Sequence, residues 1–286
     1  LRPVSFNRRL IRMFCAFGGE IRREEEREYE RERKGGEGVE KEERRSHRLE
    51  RLATAIIKVT RFQDDVGGCE MAHVFLHAMG EMQRPPTMPF RRTVIRRLPK
   101  RIAIEPNCVS VATCLRGFIT AMEIISESHE KETRMEEVSL ITLGGLQRES
   151  FVALGRSLPN MELLKVLRLH GDGLQKLSAE EKAVFFQGLQ QSNVEQLSLI
   201  RLNITNSDMA EGAPLPSALT TLHALRVLWL KDNALSTEGI RGLRTCLQNR
   251  RDMILSLGVD DITGLDGDGT DVEKELRGVC ARLHVS

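Results

Sequence analysis

An apolar pattern that returns about every thirty residues constrains the fold of this chain more than any other feature of its sequence. Its clearest copy lies in ALRVLWLKDNAL and follows the spacing LxxLxLxxNxL from Leu225 onward. Five copies align on one apolar position each, and the aligned residues are Val138, Leu167, Leu197, Leu228 and Leu255. Successive aligned positions are therefore 29, 30, 31 and 27 residues apart. A period kept over five copies indicates one structural unit that repeats along the chain.

Each copy predicts a short strand followed by a return helix. Alternate side chains of a strand point to opposite faces, so the leucines of one copy share a face and need a neighbouring copy to bury them. A capping box at Ser178 and Glu181 predicts one return helix, whereas Pro214 and Pro216 predict that the third return helix is short or displaced. Asn233 suits a side chain that hydrogen-bonds the backbone of the turn after the strand.

The strand and helix halves of the pattern, best seen in LRVLWLKDNALSTEGIRGL, resemble the ribonuclease-inhibitor-like subclass of leucine-rich-repeat proteins. The resemblance covers residues 135–262. It implies an α/β solenoid of about five strand–helix repeats, with strands on a concave face and helices on the convex face. Such repeats occur in inhibitors, in the sensor halves of nucleotide-binding immune receptors and in accessory subunits of mitochondrial assemblies. The resemblance therefore implies binding of a partner protein, but it names no partner.

The composition of the residues outside the repeats differs along the chain and predicts separate segments. Arg/Glu-rich residues 20–50 lack an apolar face and predict a charged helical arm or a linker. Helical periodicity then predicts helices over 47–62, 69–82 and 108–128, with an irregular stretch around Pro85, Pro86 and Pro89. The expected domains are a basic and charged segment at 1–50, a helical cap at 51–134, the leucine-rich-repeat domain at 135–265, and a C-terminal capping helix within 266–286, from Asp271 to Leu283.

The first 18 residues resemble a mitochondrial transit segment, because they contain Arg2, Arg8, Arg9 and Arg12 and no acid. The alternative is a basic helix or tail with no targeting role. Six cysteines without paired spacing predict reduced thiols and an intracellular location, which is mitochondrial if the segment is a transit peptide and otherwise cytoplasmic. No run of 18 apolar residues occurs, so we expect no membrane span.

Partner contacts are expected on the outward positions of the strands. Trp229 is the first candidate, since a lone tryptophan among polar neighbours is typical of a binding anchor. The alternative is that Trp229 packs against an adjacent repeat. The full set of predicted partner-binding residues is Lys165, Arg168, Gln196, Ser198, Arg226 and Trp229.

A basic cluster precedes the repeats, and its members are Arg91, Arg92, Arg96, Arg97, Lys100 and Arg101. Such a cluster can contact the phosphates of RNA. Apart from Phe90, however, it has no interleaved aromatic residue on which a base could stack. A solvated surface or an acidic protein partner is therefore the favoured interpretation.

No residue pattern supports catalysis or a cofactor. Cys69, His73 and His77 share one helical face and could hold zinc, yet a fourth ligand is not evident. The sequence also lacks GxxxxGK[ST], GxGxxG and GxSxG motifs. We expect a non-enzymatic protein without metal, cofactor or small-molecule substrate. The second hypothesis is a structural accessory subunit of a large mitochondrial or ribonucleoprotein assembly, anchored by the basic N-terminal third.

Overall fold

The structure, a computed structural model, describes most of the chain after residue 65. The described residues are 66–82, 85–106, 108, 110–128, 133–142, 146–248, 250, 252–258, 276–277 and 282–285, with His47, Glu50, Arg51, Ala53 and Thr54. The chain divides into two compact units, Leu1–His47 and Arg48–Ser286. Every element below belongs to the second unit. The predicted transit segment and most of the charged arm lie outside the described residues.

Seven parallel strands form one sheet, in which each strand pairs with the next one along the chain. Among the described strands, the first and the last have one neighbour each, so the sheet is open. The strands are β1 (Arg101–Ile104), β2 (Glu137–Ile141), β3 (Val166–His170), β4 (Gln196–Ile200), β5 (Val227–Trp229), β6 (Ile254–Leu257) and β7 (Arg282–Val285).

Helices alternate with these strands, since parallel neighbours need a crossover connection. The helices are α1 (Val66–Gly80), α2 (Met88–Arg97), α3 (Val111–Ser126), α4 (Arg148–Ser157), α5 (Ala179–Gln190), α6 (Pro214–Thr221) and α7 (Thr237–Leu247). From α3 onward, each helix also packs against the next one. The fold class is therefore α/β, with a parallel sheet and a layer of helices. None of the described helices is both long and apolar enough to span a bilayer.

The leucines of the repeated pattern form the core of this architecture. The five aligned residues, from Val138 to Leu255, lie opposite one another on adjacent strands. Each has an exposed fraction of 0%. The predicted alignment of these positions is confirmed. Complete burial of one such side chain stabilises the fold by about 1.5–3 kcal/mol, so a copy out of register would be costly.

The predicted signals for the return helices are also confirmed. Ser178 Oγ accepts a hydrogen bond from the Glu181 N–H at 3.3 Å, and the Glu181 carboxylate accepts one from the Ser178 N–H at 2.9 Å. The third return helix, α6, has 8 residues, whereas α5 has 12. It starts at Pro214, because a first-turn proline lacks only an N–H that the helix does not use.

The Asn233 side chain joins two neighbouring turns, as predicted for a residue that follows a strand. Its Oδ1 accepts hydrogen bonds from the N–H groups of Leu202 at 3.2 Å and Ile204 at 3.1 Å. Its Nδ2 donates to the carbonyls of Leu199 at 2.8 Å and Leu230 at 2.9 Å. The amide thus hydrogen-bonds buried backbone groups of two adjacent turns.

The prediction of a helical cap over residues 51–134 is wrong in one respect. Residues 101–104 form β1, which pairs with β2 and places Ile102 opposite Val138. Ile102 and Ile104 are both fully buried, so this segment extends the sheet by one strand. The expected irregular stretch also ends earlier than predicted, since Pro89 lies in the first turn of α2. The helices predicted over 69–82 and 108–128 are confirmed as α1 and α3.

The predicted C-terminal helix, Asp271–Leu283, is wrong at its end. Leu276 and Arg277 are helical, but Arg282–Val285 is strand β7. Leu283 lies opposite Leu255 in the register and has an exposed fraction of 8%. Its side chain continues the row of core leucines, because burial in the sheet outweighs a local capping signal.

Candidate interaction surface on the sheet

Side chains alternate between the two faces of the sheet. In β3, Leu167 and Leu169 are fully buried, whereas Val166, Arg168 and His170 are half-buried. We call the side that carries the second set the outer face. Its first row of aligned residues is Glu137, Val166, Gln196, Val227 and Ile254; its second row is Ser139, Arg168, Ser198, Trp229 and Ser256; its third row is Ile141, His170 and Ile200.

Three of the predicted partner-binding residues share the second row. Arg168, Ser198 and Trp229 lie on consecutive strands in register. Trp229 is half-buried and has a serine on either side, Ser198 and Ser256, with exposed fractions of 2% and 3%. Small buried neighbours next to a partly exposed tryptophan leave the indole as the prominent side chain of this part of the outer face. Gln196 lies in the first row.

The other two predicted residues, Lys165 and Arg226, belong to a row of alternating charges where the strands begin, next to the first row of the outer face. We call this the edge row; each member precedes the first residue of its strand, and the members are Lys100, Glu136, Lys165, Glu195 and Arg226. Lys100 Nζ lies 3.0 Å from a Glu136 carboxylate oxygen, and Lys165 Nζ lies 2.7 Å from a Glu195 carboxylate oxygen. Most of the charge in the edge row is therefore neutralised within the row.

The backbone keeps the edge row in line. The Lys165 N–H donates to the Glu136 carbonyl at 2.9 Å, and the Glu195 N–H donates to the Lys165 carbonyl at 2.8 Å. The Arg226 N–H donates to the Glu195 carbonyl at 2.8 Å. Each charged side chain is thus held beside the next one by its own main chain.

An ion-pair cluster on the outer face was missed by the sequence analysis. The Glu137 carboxylate contacts the guanidinium groups of Arg101, at 3.5 Å, and of Arg168. Arg168 is therefore engaged within the sheet, which lowers its availability for a partner. The register places these residues on three consecutive strands, with Glu137 opposite Val166 and diagonal to Arg168, so aligning Val138 with Leu167 would have located this pair.

A second contact that the sequence analysis missed joins His170 and Ser198. His170 Nε2 lies 2.8 Å from Ser198 Oγ. Burial, and then the positive charge of Arg168, lower the pKa of the imidazole. A serine beside a neutral histidine has the first two parts of a nucleophilic site. Among the described residues, however, no carboxylate hydrogen-bonds His170, and Ser198 lies inside a paired strand whose N–H groups serve the sheet.

The predicted basic cluster is divided between α2 and the start of the sheet. Arg91 pairs with Glu127, and the two members nearest β1, Lys100 and Arg101, pair with Glu136 and Glu137. The other three members are exposed on α2, and they are Arg92, Arg96 and Arg97. Internal pairing lowers the positive charge that the cluster presents to a phosphate backbone.

The zinc site that the sequence analysis weighed and set aside involves His73, whose described contacts are with a backbone carbonyl and a cysteine. His73 Nε2 contacts the Ala103 carbonyl, and Cys108 Sγ lies 3.4 Å from the same nitrogen. Burial raises the pKa of Cys114 to about 11, so this neighbouring thiol stays protonated. The side chain of Cys69 is outside the described residues. Among those described, no group of three or more metal-ligating side chains occurs.

Comparison with known proteins gives no family to which the chain can be assigned. No model of a protein family matches its sequence, and no curated protein is significantly similar to it. The candidate surface is therefore interpreted from its own geometry and charges.

Proposed function

We propose that this chain is a leucine-rich-repeat protein of the ribonuclease-inhibitor-like subclass and that it binds a partner protein without catalysis. The proposed contact surface is the outer face of the sheet, as the concave face of the solenoid. One observation carries the proposal: Trp229 is partly exposed between two buried serines, in a row of aligned side chains on consecutive parallel strands.

The regular register supports the assignment to leucine-rich repeats. The buried leucines recur once per strand, and strand order follows chain order throughout the described sheet. The bonds of Asn233 to two adjacent turns are what the asparagine of the repeat pattern is expected to make.

The rigidity of the outer face supports a binding function. Its side chains project from paired strands, so their main chain is already fixed before a partner arrives. Binding then costs less conformational entropy than it would on a loop. Tryptophan and arginine are also the residues that most often contribute strongly to binding energy.

The proposal predicts that Trp229→Ala weakens capture of the partner. We expect at least about a tenfold loss when the full chain is used as bait in extracts of its source cells, because truncation of a central anchor typically costs more than ~1.4 kcal/mol. The circular dichroism spectrum should stay unchanged, since Trp229 is only half-buried.

Met88→Ala is the matched control, because Met88 is an apolar residue on α2 with an exposed fraction of 61%. It should leave capture unchanged. Equal capture by wild type and Trp229→Ala would refute the proposed contact surface.

A second function, that of an accessory subunit in a large assembly, is favoured by the division of the chain. Residues 1–47 form a unit of their own, as an anchoring arm would. The basic composition of the first 18 residues is the feature that supports a mitochondrial location for such an assembly.

A further inference from the structure

We propose that the partner presents a carboxylate next to an apolar side chain, and that this pair docks on β5 through Arg226 and Trp229. The inference rests on the proposed function and adds the chemistry of the partner. The occupant is a segment of another protein with an aspartate or glutamate close to a leucine or an aromatic residue.

The pairing of charges on this surface indicates that the partner has a carboxylate. Each acid of the edge row and the outer face has a cation within the same surface: Glu136 has Lys100, Glu137 has Arg101 and Arg168, and Glu195 has Lys165. Arg226 is exposed, and among the described residues it lies within 4.0 Å of no acid. Every other lysine and arginine named in these pairs has a carboxylate within 4.0 Å, and Glu137 is shared by two arginines, so Arg226 is the one cation of this set without a described carboxylate partner.

The apolar side chains next to Arg226 indicate that the partner also has an apolar residue. Val227 follows Arg226 and lies opposite Ile254 of β6, and both are half-buried. Trp229 stands one row further along the same strand. Arg226 and Trp229 are thus three positions apart, roughly 10 Å of extended chain. An apolar side chain that sits on Val227 and Ile254 beside the indole would place a carboxylate two or three residues away within reach of the guanidinium.

The geometry of the Arg226 guanidinium favours a carboxylate over other hydrogen-bond acceptors as its partner. A guanidinium and a carboxylate form two parallel charge-assisted hydrogen bonds, which are about twice as strong as neutral ones. A nucleic acid fits less well, because its phosphates would also approach Glu136, Glu137 and Glu195 on the same surface.

The test is a selection of short random peptides, displayed on phage, on the full immobilised chain. Selected peptides are then synthesised and titrated against the full chain in solution. Trp229 is the single tryptophan of the sequence, so its emission reports binding at β5 directly. We expect peptides that combine aspartate or glutamate with leucine or an aromatic residue, and a blue shift of the Trp229 emission on binding.

Charge variants then test the role of Arg226. For an acidic peptide we expect Arg226→Gln to weaken binding by about tenfold or more, and replacement of the peptide's aspartate by asparagine to have a similar effect. Arg226→Glu should bind a peptide in which lysine replaces the acidic residue more tightly than it binds the original acidic peptide. Lys100→Gln is the matched control, since it removes one positive charge from the edge row on β1, and it should change affinity less than about twofold.

Each other outcome has a defined meaning. If peptides shift the Trp229 emission without a preference for acids, or if Arg226→Gln binds them normally, the inference is overturned while the proposed function stands. If selection yields no peptide that shifts the emission, or if poly-uridylate shifts it and competes with peptides, the acidic-segment partner is also overturned. The proposed function itself fails only if capture of the cellular partner is indifferent to Trp229→Ala.

Discussion

At the scale of single residues, the asparagine of the repeat pattern shows that one side chain can hold two turns of the backbone together. Asn233 has an exposed fraction of 9% and bonds to backbone groups of two adjacent turns. The equivalent positions in earlier repeats are filled differently: Asp172 is exposed and accepts a hydrogen bond from Asn203, whereas Leu202 is buried among apolar side chains. The turns that follow β4 and β5 are therefore joined by one amide side chain.

Asn233→Ala should lower the free energy of unfolding by about 3 kcal/mol. The substitution leaves the N–H groups of Leu202 and Ile204 buried without an acceptor, and each unsatisfied buried group costs about 1–3 kcal/mol. Urea denaturation followed by circular dichroism measures the loss. Asn193→Ala is the control, because Asn193 is exposed and its side chain donates one hydrogen bond of 3.2 Å to the Glu162 carbonyl at the surface; a loss as large as that of Asn233→Ala would contradict the argument.

The half-buried His170 predicts a dependence of stability on pH. Its pKa lies below the ordinary value of 6.5, because burial disfavours the imidazolium and Arg168 repels it. Between the two pKa values the unfolded chain binds more protons than the folded chain, so the free energy of unfolding falls as the pH falls through that window.

His170→Gln should therefore lose less stability than wild type between about pH 7.5 and about pH 5.5. Urea denaturation at the two pH values measures the difference. His223→Gln, which changes an exposed histidine, should keep the wild-type dependence. If His170→Gln keeps it as well, another group is responsible.

At the residue scale, the sequence predicted positions along a single strand, because alternation within that strand determines them. It did not predict contacts between residues of two strands. The shared row of Arg168 and Ser198 followed from alternation along single strands, but Ser198 is buried in that row. Their contacts with Glu137 and His170 join residues of neighbouring strands. Such contacts depend on register, which the repeat period contains but which a search of single segments does not use.

At the scale of elements, the helices pack closely because small residues face each other. A Cβ added to Gly188 of α5 would lie 1.9 Å from the carbonyl oxygen of Gly155 in α4, and one added to Gly155 would lie 2.6 Å from Phe185 Cα. The two main chains are therefore in contact. This closeness lets Phe151 and Phe185 meet edge to face, with ring centroids 5.4 Å apart.

Gly188→Ala should destabilise the fold by about 2–3 kcal/mol, because the new methyl group can only be accommodated if α4 and α5 move apart. The expected loss exceeds the ~1 kcal/mol by which alanine is favoured over glycine in a helix. Thermal or urea denaturation measures it. Gln187→Ala, at an exposed position of the same helix, should not destabilise; if Gly188→Ala is equally harmless, the helices are not in such close contact.

Sequence patterns located those elements whose signals are local. The cap of α5 and the short α6 followed from serine and proline positions. β1 was missed because it has four residues and is separated from β2 by 36 positions, counted from Ile102 to Val138, which breaks the period of about thirty. β7 was missed because a capping pattern precedes a strand that only pairing with β6 stabilises.

At the scale of the whole molecule, stability and function are distributed differently along the chain. In an array where each unit contacts its neighbours, stability is approximately a sum of local terms and stacking terms. The aligned leucines supply stacking in every described repeat, whereas the ion pairs of the candidate surface lie between β1 and β4 and its tryptophan lies on β5. A function localised on β5 should therefore survive changes at a distant end of the chain.

Removal of residues 1–47 distinguishes the two proposed functions. The cut follows the boundary between the two units and keeps Glu50, whose carboxylate accepts hydrogen bonds from the N–H of Thr87 at 2.6 Å and its hydroxyl at 2.9 Å. For an interaction module we expect capture of the partner to stay within about twofold of the full chain, because the outer face is untouched. An accessory subunit anchored by its arm would instead leave its large complex in a density gradient. Circular dichroism checks that the truncated chain is folded, and the full chain with Trp229→Ala provides the opposite control, since it keeps the arm and loses the anchor.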